Sequence, residues 1–175
     1  MAACRNARRT GNGLDKLTAR IDQALSTWLP DQFCTGIFLQ LDLTTGTLDW
    51  TNCGHPPPLL IRDQRVIDNA LEGTPEPPLG LPSLFDTPLE RSVQRLRLQP
   101  GDRILLYTDG VTEARDANGA LFGLERFTDF IIRATAVGDP APEALRRLIH
   151  AILDHQHCKL SDDATILLIE WMPHP

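Results

Sequence analysis

The feature that most limits the possible fold is a hairpin pattern in the first third of the chain. Two segments with strand character, residues 35–43 and 47–52, are separated only by the turn residues Thr44-Thr45-Gly46. A connection this short joins antiparallel strands, because parallel strands need a crossover of a dozen or more residues. The sequence therefore predicts that this part of the chain builds an antiparallel sheet.

The order of the other segments extends this prediction to the whole chain. Further strands are predicted at residues 59–61, 66–67, 92–98, 103–108 and 164–171, and helices at 14–29, 123–134 and from Asp139-Pro140 onward. Hairpins dominate and strands do not alternate with helices, which favours an α+β fold with antiparallel sheets over a doubly wound one. One apolar stripe is expected on the first helix, formed by Leu14, Leu17, Ile21, Leu25 and Trp28.

Prolines and glycines mark two interruptions in this pattern. The three prolines at 56–58 exclude a central strand there, because proline cannot donate to a sheet ladder. Residues 69–91 are rich in both residue types, which predicts a loop. Loops of this length in compact domains often have a function. His55 lies between Gly54 and the prolines, where a histidine is more often a loop anchor than a general base.

Composition and charge limit the class of protein. With 175 residues, 42% of them hydrophobic, the chain is expected to form a single domain over residues 1–175. The net charge of −6 argues against nucleic acid or a membrane surface as partner, since both attract basic surfaces. No apolar segment approaches the roughly 20 residues that span a bilayer, so a cytoplasmic location is expected. The four cysteines form no C-x-x-C pair and are expected to be reduced.

Acidic residues stand at the ends of two predicted strands. Asp109-Gly110 follows the strand 103–108, and Asp162-Asp163 precedes the strand 164–171. If the two strands are antiparallel neighbours, Asp109 and Asp162 converge, and converging carboxylates need a cation between them. Oxygen ligands of this kind suit Mg²⁺ or Mn²⁺. The residues alone leave a second interpretation open, in which T-D-G is an ordinary turn and D-D only precedes a strand.

Five motifs that follow one another along the chain are far more specific together than any one of them is alone. They are "WTNCGHPPPLL" (50–60), "PPLGL" (77–81), "LQPGDRILLYTDGVTEAR" (98–115), "LFGLERF" (121–127) and "SDDATILLIEW" (161–171). Together they resemble the bacterial sporulation stage II E-like branch of the metal-dependent protein phosphatase 2C superfamily. The resemblance runs from about residue 14 to residue 171.

The resemblance implies a fold and a reaction. The family's domain has two antiparallel sheets packed face to face and flanked by helices. Its members hydrolyse phosphoserine or phosphothreonine in proteins, often in antagonists of anti-sigma factors, with a water activated by two Mn²⁺ or Mg²⁺ ions. By motif, Asp109 and Asp162 would be metal ligands and the catalytic residues, and Asp163 would join the metal set. Supporting or structural roles would fall to Gly110, Glu113, His55 and Thr165.

The chain also departs from the family pattern. The family's "G-G-D-x-x-D" motif, which supplies the aspartate between the two metals, is not found in this sequence. We therefore expect the C-terminal two-thirds of the domain, N-terminally incomplete and lacking the first strands and helix. Exposed sheet edges would then favour self-association, and metal binding and activity of this chain alone would be weak. The alternative is a non-catalytic module with a degenerate phosphatase fold that binds a phosphoprotein or a regulator.

Overall fold

The computed structural model describes residues 13–81, 90–136, 140–156 and 163–172. Contacts between residues divide the chain into two compact units. The first unit consists of Met1–His55 and Gly73–Leu98, and the second of Pro56–Glu72 and Gln99–Pro175. Each unit contains one antiparallel sheet and at least one helix.

All of the predicted strands and helices are present, and the α+β prediction with antiparallel sheets is confirmed. Only one described element was not predicted, a short helix where a turn was expected after residue 108. In chain order the elements are α1 (Leu14–Trp28), β1 (Gly36–Leu41), β2 (Thr47–Cys53), β3 (Leu59–Arg62), β4 (Arg65–Ile67), β5 (Gln94–Arg97), β6 (Arg103–Tyr107), α2 (Asp109–Thr112), α3 (Leu124–Ala136), α4 (Ala141–His155) and β7 (Ile166–Glu170).

The sheet of the first unit contains three strands in the order β1-β2-β5. The predicted hairpin joins β1 to β2, and Leu41 pairs with Leu48 next to the turn. Asp42 organises this turn, because its Oδ1 accepts from the backbone N–H of Thr44 at 2.8 Å and of Thr45 at 3.1 Å. Gly46 closes the turn with a φ of +70°, a conformation that glycine adopts without steric cost. The turn is therefore encoded by residues within the turn itself.

Helix α1 buries the N-terminal part of its predicted apolar stripe but not the C-terminal end. Leu14 and Leu17 are buried as expected, but Trp28 is 79% exposed, so the predicted stripe is wrong at its C-terminal end. Two polar residues, Thr18 and Asp22, are buried instead. The Thr18 hydroxyl donates to the Leu14 carbonyl at 3.0 Å. Asp22 binds a buried arginine outside the helix, a contact that an apolar pattern does not reveal.

The sheet of the second unit contains four strands in the order β4-β3-β6-β7. Strand β6 lies between β3 and β7, which explains why Ile104, Leu105 and Leu106 are all buried. Helices α3 and α4 add the rest of a hydrophobic core in which Phe127 and Ile131 are fully buried. The Tyr107 and Phe127 rings pack with centroids 5.1 Å apart. The end of β6 is therefore held rigidly by the core of this unit.

A buried aspartate fixes the start of the same strand. Asp102 is 1% exposed and accepts from Arg62 on β3, with Nε–Oδ1 at 2.8 Å and Nη2–Oδ2 at 2.7 Å. Its Oδ2 also accepts from the backbone N–H of Gln99 at 2.7 Å, which closes the turn before β6. The Arg62 pKa is raised, chiefly by this hydrogen bond. Strand β6 is thus anchored at both ends.

None of the helices in the described part of the chain is long and apolar enough to cross a membrane. Helix α4 begins at Ala141 with Pro140 as its N-cap residue, slightly later than the start predicted at Asp139-Pro140, and Asp139 lies outside the described residues. The prediction of a single, N-terminally incomplete domain stays a prediction.

The outer strands of the two sheets give a first testable prediction. Within the described residues, β7 ends its sheet on one side, and Leu167 on this strand is 52% exposed. An open apolar strand presents backbone groups that pair readily with a second chain. We expect the isolated chain to self-associate, so that its mass in static light scattering rises across micromolar concentrations. Leu167→Lys should reduce the rise, and a monomer mass at every concentration would contradict the prediction.

Candidate metal site at the end of strand β6

The candidate site begins where the buried strand β6 ends. Thr108 is extended, with φ −89° and ψ 159°, and is the N-cap residue of α2. Asp109 is the first residue of this helix and is exposed, whereas Gly110 and Val111 behind it are buried. The Asp109 Oδ1 accepts from the backbone N–H of Gly110 at 2.9 Å. The strand thus ends on a carboxylate that is oriented by its own helix turn and open to solvent.

The segment that precedes β7 lies against this turn. The β6–β7 register ends at Tyr107 and Ile166, as expected for antiparallel neighbours. Beyond it, the Thr108 N–H donates to the Thr165 carbonyl at 3.0 Å, and the Thr165 N–H donates to the Thr108 Oγ1 at 2.9 Å. The Thr108 hydroxyl also donates to the Asp163 carbonyl at 3.2 Å. The two acidic segments predicted to converge therefore do so at residues 108–110 and 163–165.

Gly110 makes this approach possible because it has no side chain. A Cβ at this position would lie 2.6 Å from the carbonyl oxygen of Asp163 and 3.1 Å from its carbonyl carbon. Both are backbone atoms, so a larger residue could be accommodated only if the 163–165 segment moved. Gly110 has a helical backbone conformation, which any residue can adopt, so its conformation does not require glycine. Packing requires it, because the space that a Cβ would occupy is filled by the Asp163 backbone.

The structure brings four of the predicted site residues together: Asp109, Gly110, Asp163 and Thr165. Asp162, predicted as a metal ligand, lies outside the described residues. Glu113 follows α2 and is exposed, and its N–H donates to the Asp109 carbonyl at 2.8 Å. This backbone bond closes the short helix, and the supporting or structural role of the Glu113 side chain stays a prediction.

His55 belongs to the first unit. Its backbone is held by the Asn52 side chain, which accepts from the His55 N–H at 2.8 Å and donates to its carbonyl at 2.7 Å. This arrangement agrees with an anchored loop after β2, where Gly54 has a φ of +71°. The predicted supporting role of His55 at the metal site stays a prediction.

The residues described at this site offer the type of donor atom that a hard divalent cation binds. Asp109 and Asp163 are exposed and offer carboxylate oxygens, the ligands that Mg²⁺ and Mn²⁺ prefer. Within residues 13–81, 90–136, 140–156 and 163–172, however, no group of three or more His, Cys, Asp or Glu side chains gathers as a metal site. The described donors therefore do not form a complete ligand set by themselves.

Burial raises the pKa of two potentially nucleophilic side chains, Tyr107 and Cys53. Burial is the main cause that raises the pKa of Tyr107, and the charge of Glu72 adds to it. In the first unit, burial raises the pKa of Cys53 to about 11.

Thr108 is the residue that sequence reasoning missed. It stands inside the quoted motif, between the buried strand and Asp109, yet nothing in the local pattern distinguishes its hydroxyl from that of any exposed threonine. Its two side-chain hydrogen bonds reach 55 and 57 residues along the chain. Only the pairing of β6 with β7 reveals them.

Curated relatives match parts of this chain. Protein IcfG of Synechocystis sp. is 29% identical over 139 residues, which are 78% of this chain and 20% of the relative. Phosphoserine phosphatase RsbP of Bacillus subtilis is 37% identical over 81 residues, which are 46% of this chain and 19% of that protein. The chain thus spans about a fifth of the length of these relatives.

Solved structures share the fold. The RsbU and RsbW domains of Rv1364c from Mycobacterium tuberculosis match with a TM-score of 0.77 and 26% identity, over 99% of this chain and 46% of that one. The catalytic domain of the serine/threonine protein phosphatase PstP, in complex with 2 manganese ions, matches with a TM-score of 0.61 and 17% identity. The latter match covers 95% of this chain and 76% of that one and shows the fold alone.

The family described as Stage II sporulation protein E (SpoIIE) matches residues 1–172. This match covers nearly the whole chain and confirms the resemblance that the five motifs carry. The fold of two antiparallel sheets with helices agrees with the phosphatase structures. The chain belongs to the Stage II sporulation protein E (SpoIIE) family and has its phosphatase-type fold.

Proposed function

We propose that this chain is part of a metal-dependent phosphatase that hydrolyses phosphoserine or phosphothreonine in a protein. The observation that carries the proposal is the hydrogen-bonded approach of residues 163–165 to Thr108, which places Asp109 beside the Asp163 segment. A phosphoserine phosphatase, RsbP, is 37% identical over 81 residues, which supports the same activity.

In this proposal, carboxylates of Asp109, Asp162 and Asp163 hold Mn²⁺ or Mg²⁺. When bound, the ions supply an activated water and a clamp on the phosphoryl oxygens. The chain's own contribution is rigidity. The core beneath β6 and the Gly110–Asp163 approach fix the backbone that carries Asp109, so that its carboxylate is oriented before a cation arrives.

We further propose a phosphorylated protein as the partner, in a sigma-factor pathway and in the cytoplasm. The likeness to RsbP and to the RsbU and RsbW domains of Rv1364c supports this class of partner. The net charge of −6 agrees with a partner other than nucleic acid.

Calorimetric titration with Mn²⁺ tests the proposal. Asp109→Asn keeps the size of the side chain but removes its charge, so we expect Mn²⁺ affinity to fall about tenfold or more. Asp129→Asn on α3 is the matched control, since Asp129 is exposed and contacts only Arg133 among the ion pairs found in the described residues. It should bind Mn²⁺ as the wild type does. Equal affinity in the wild type and Asp109→Asn would exclude Asp109 as a ligand.

The same samples separate the enzyme from the binding module. The enzyme releases phosphate from a phosphoserine peptide only when Mn²⁺ is present, and Asp109→Asn abolishes the release. A low rate is expected for this chain alone, because the "G-G-D-x-x-D" motif is not in the sequence. A binding module instead retains the phosphopeptide without hydrolysis and does so in Asp109→Asn as well.

A further inference from the structure

We infer that Thr108 is a positioning residue, whose hydroxyl holds the Asp163 segment in place beside Asp109. The inference rests on the proposed function, because it gives the hydroxyl a role in cation binding. Thr108 lies within one of the five motifs, but the ligand set and the supporting residues named above do not include it.

The hydroxyl makes two bonds to the segment that precedes β7. It accepts from the Thr165 N–H at 2.9 Å and donates to the Asp163 carbonyl at 3.2 Å. Both a donor and an acceptor of the 163–165 backbone are thus satisfied by one side chain. The Thr108 N–H adds a backbone bond to the Thr165 carbonyl at 3.0 Å.

These bonds are needed because the strand ladder ends too early to hold Asp163. The last register pair of β6 and β7 is Tyr107 with Ile166. Residues 163–165 lie beyond it and are exposed, so core packing does not restrain them. The hydroxyl extends the attachment of β6 to the segment before β7 past the end of the ladder, up to Asp163, which carries the second carboxylate.

The Asp163 carbonyl is restrained by two neighbours. The Thr108 hydroxyl donates to this carbonyl oxygen at 3.2 Å. On the other side the oxygen packs against Gly110, where an added Cβ would lie only 2.6 Å from it. Asp109 lies between these two residues in the chain. The backbone carrying Asp109 and the backbone carrying Asp163 are therefore linked directly, and loss of the hydroxyl would separate the two carboxylates.

Two substitutions distinguish the hydroxyl from the shape of the side chain. Thr108→Val keeps the branched shape but removes both side-chain bonds, whereas Thr108→Ser keeps the hydroxyl. Thr128→Val is a control in the same unit, because the Thr128 hydroxyl also donates to a backbone carbonyl, that of Glu125 at 2.9 Å within α3. All three are compared with the wild type and with Asp109→Asn.

The measurement is nuclear magnetic resonance with Mn²⁺ as a paramagnetic probe on the ¹⁵N-labelled chain. In the wild type, Mn²⁺ should broaden the amide signals of Gly110 and Thr165. Thr108→Val should need about tenfold more Mn²⁺ for the same broadening, since two hydrogen bonds that order the site are lost. Thr108→Ser and Thr128→Val should behave as the wild type does, and Asp109→Asn should show no broadening.

The outcomes separate this inference from the proposed function. If Thr108→Val responds to Mn²⁺ as the wild type does while Asp109→Asn does not respond, the inference is wrong and the proposed function stands. If the wild type shows no broadening at Gly110, both are wrong. Hydrogen exchange of the Thr165 amide in the wild type is a test that needs no variant. Exchange as fast as that of a free peptide would mean that the bond from the Thr165 N–H to the Thr108 hydroxyl does not form. Slow exchange supports the inference.

Discussion

Gly110→Ala should destabilise the chain by about 1–3 kcal/mol, the range expected when an added methyl group is forced into a filled space. The usual effect of this change in a helix has the opposite sign, because alanine is the better helix former by about 1 kcal/mol. The sign reverses here because the new Cβ would meet the Asp163 carbonyl at 2.6 Å. Displacement of the 163–165 segment should also lower Mn²⁺ affinity, and the two losses should appear together.

Urea unfolding and Mn²⁺ calorimetry on the same samples measure both losses. Gly73→Ala is the matched control, since its Cβ would lie 3.4 Å from the nearest atom, the Cγ of the flexible Gln94 side chain. It should unfold within a few tenths of a kcal/mol of the wild type. A Gly110→Ala variant that is as stable as Gly73→Ala and binds Mn²⁺ equally well would show that the close approach does not exist in solution.

Asp22→Ala should cost about 3–5 kcal/mol, the cost of breaking a buried ion pair by removing one partner. The Arg91 side chain is 1% exposed, and its Nη2 lies 3.1 Å from the Asp22 Oδ2. Asp22 Oδ1 also accepts from the Gly80 N–H at 2.9 Å. Alanine would therefore remove the closer of two carboxylates from a buried guanidinium, leaving Glu76 Oε2 at 3.7 Å, and would remove the Asp22 acceptor of the Gly80 N–H. Urea unfolding of the variant measures the cost.

A surface ion pair of the same unit provides the control. Asp49 binds Arg95 with an Nε–Oδ1 distance of 2.6 Å, but the Arg95 side chain is 71% exposed. Water screens such a pair, so Asp49→Ala should cost far less than Asp22→Ala. Asp22→Asn should fall between them, because its amide oxygen keeps an acceptor for Gly80 while the charge is lost. Equal stability of Asp22→Ala and Asp49→Ala would mean that solvent reaches the Arg91 pair.

The parts of the fold that were predictable are those determined by near neighbours in the chain. The β1–β2 hairpin follows from its turn, where Asp42 and Gly46 make the required bonds within a few residues. The approach of the segment before β7 to the Asp109 turn followed from two strand patterns and one assumption, that the strands are antiparallel neighbours. The prediction named Asp162 as the residue that meets Asp109, and Asp162 lies outside the described residues. The family resemblance, rather than either pattern, turned that convergence into a hypothesis about metal ligands.

The parts that were missed depend on contacts between distant residues. Asp22 is buried because Arg91, 69 residues later, neutralises it, and the apolar pattern of α1 gives no sign of this. Trp28 is exposed although it continues the apolar spacing. The Thr108 hydroxyl acquires its partners only when β7 pairs with β6. Each of these features needs the fold first, so local sequence patterns could not predict them.

The division into two units has a consequence for how such a chain can be cut or recombined. Because the chain leaves the first unit after His55, returns to it at Gly73 and leaves again after Leu98, neither unit is one continuous stretch. A proteolytic cut or a gene fusion at any single position from 56 to 98 therefore places residues of at least one unit on both sides of the break. A domain-exchange experiment that treats either half of the gene as a module would sever a sheet or separate it from its own helices.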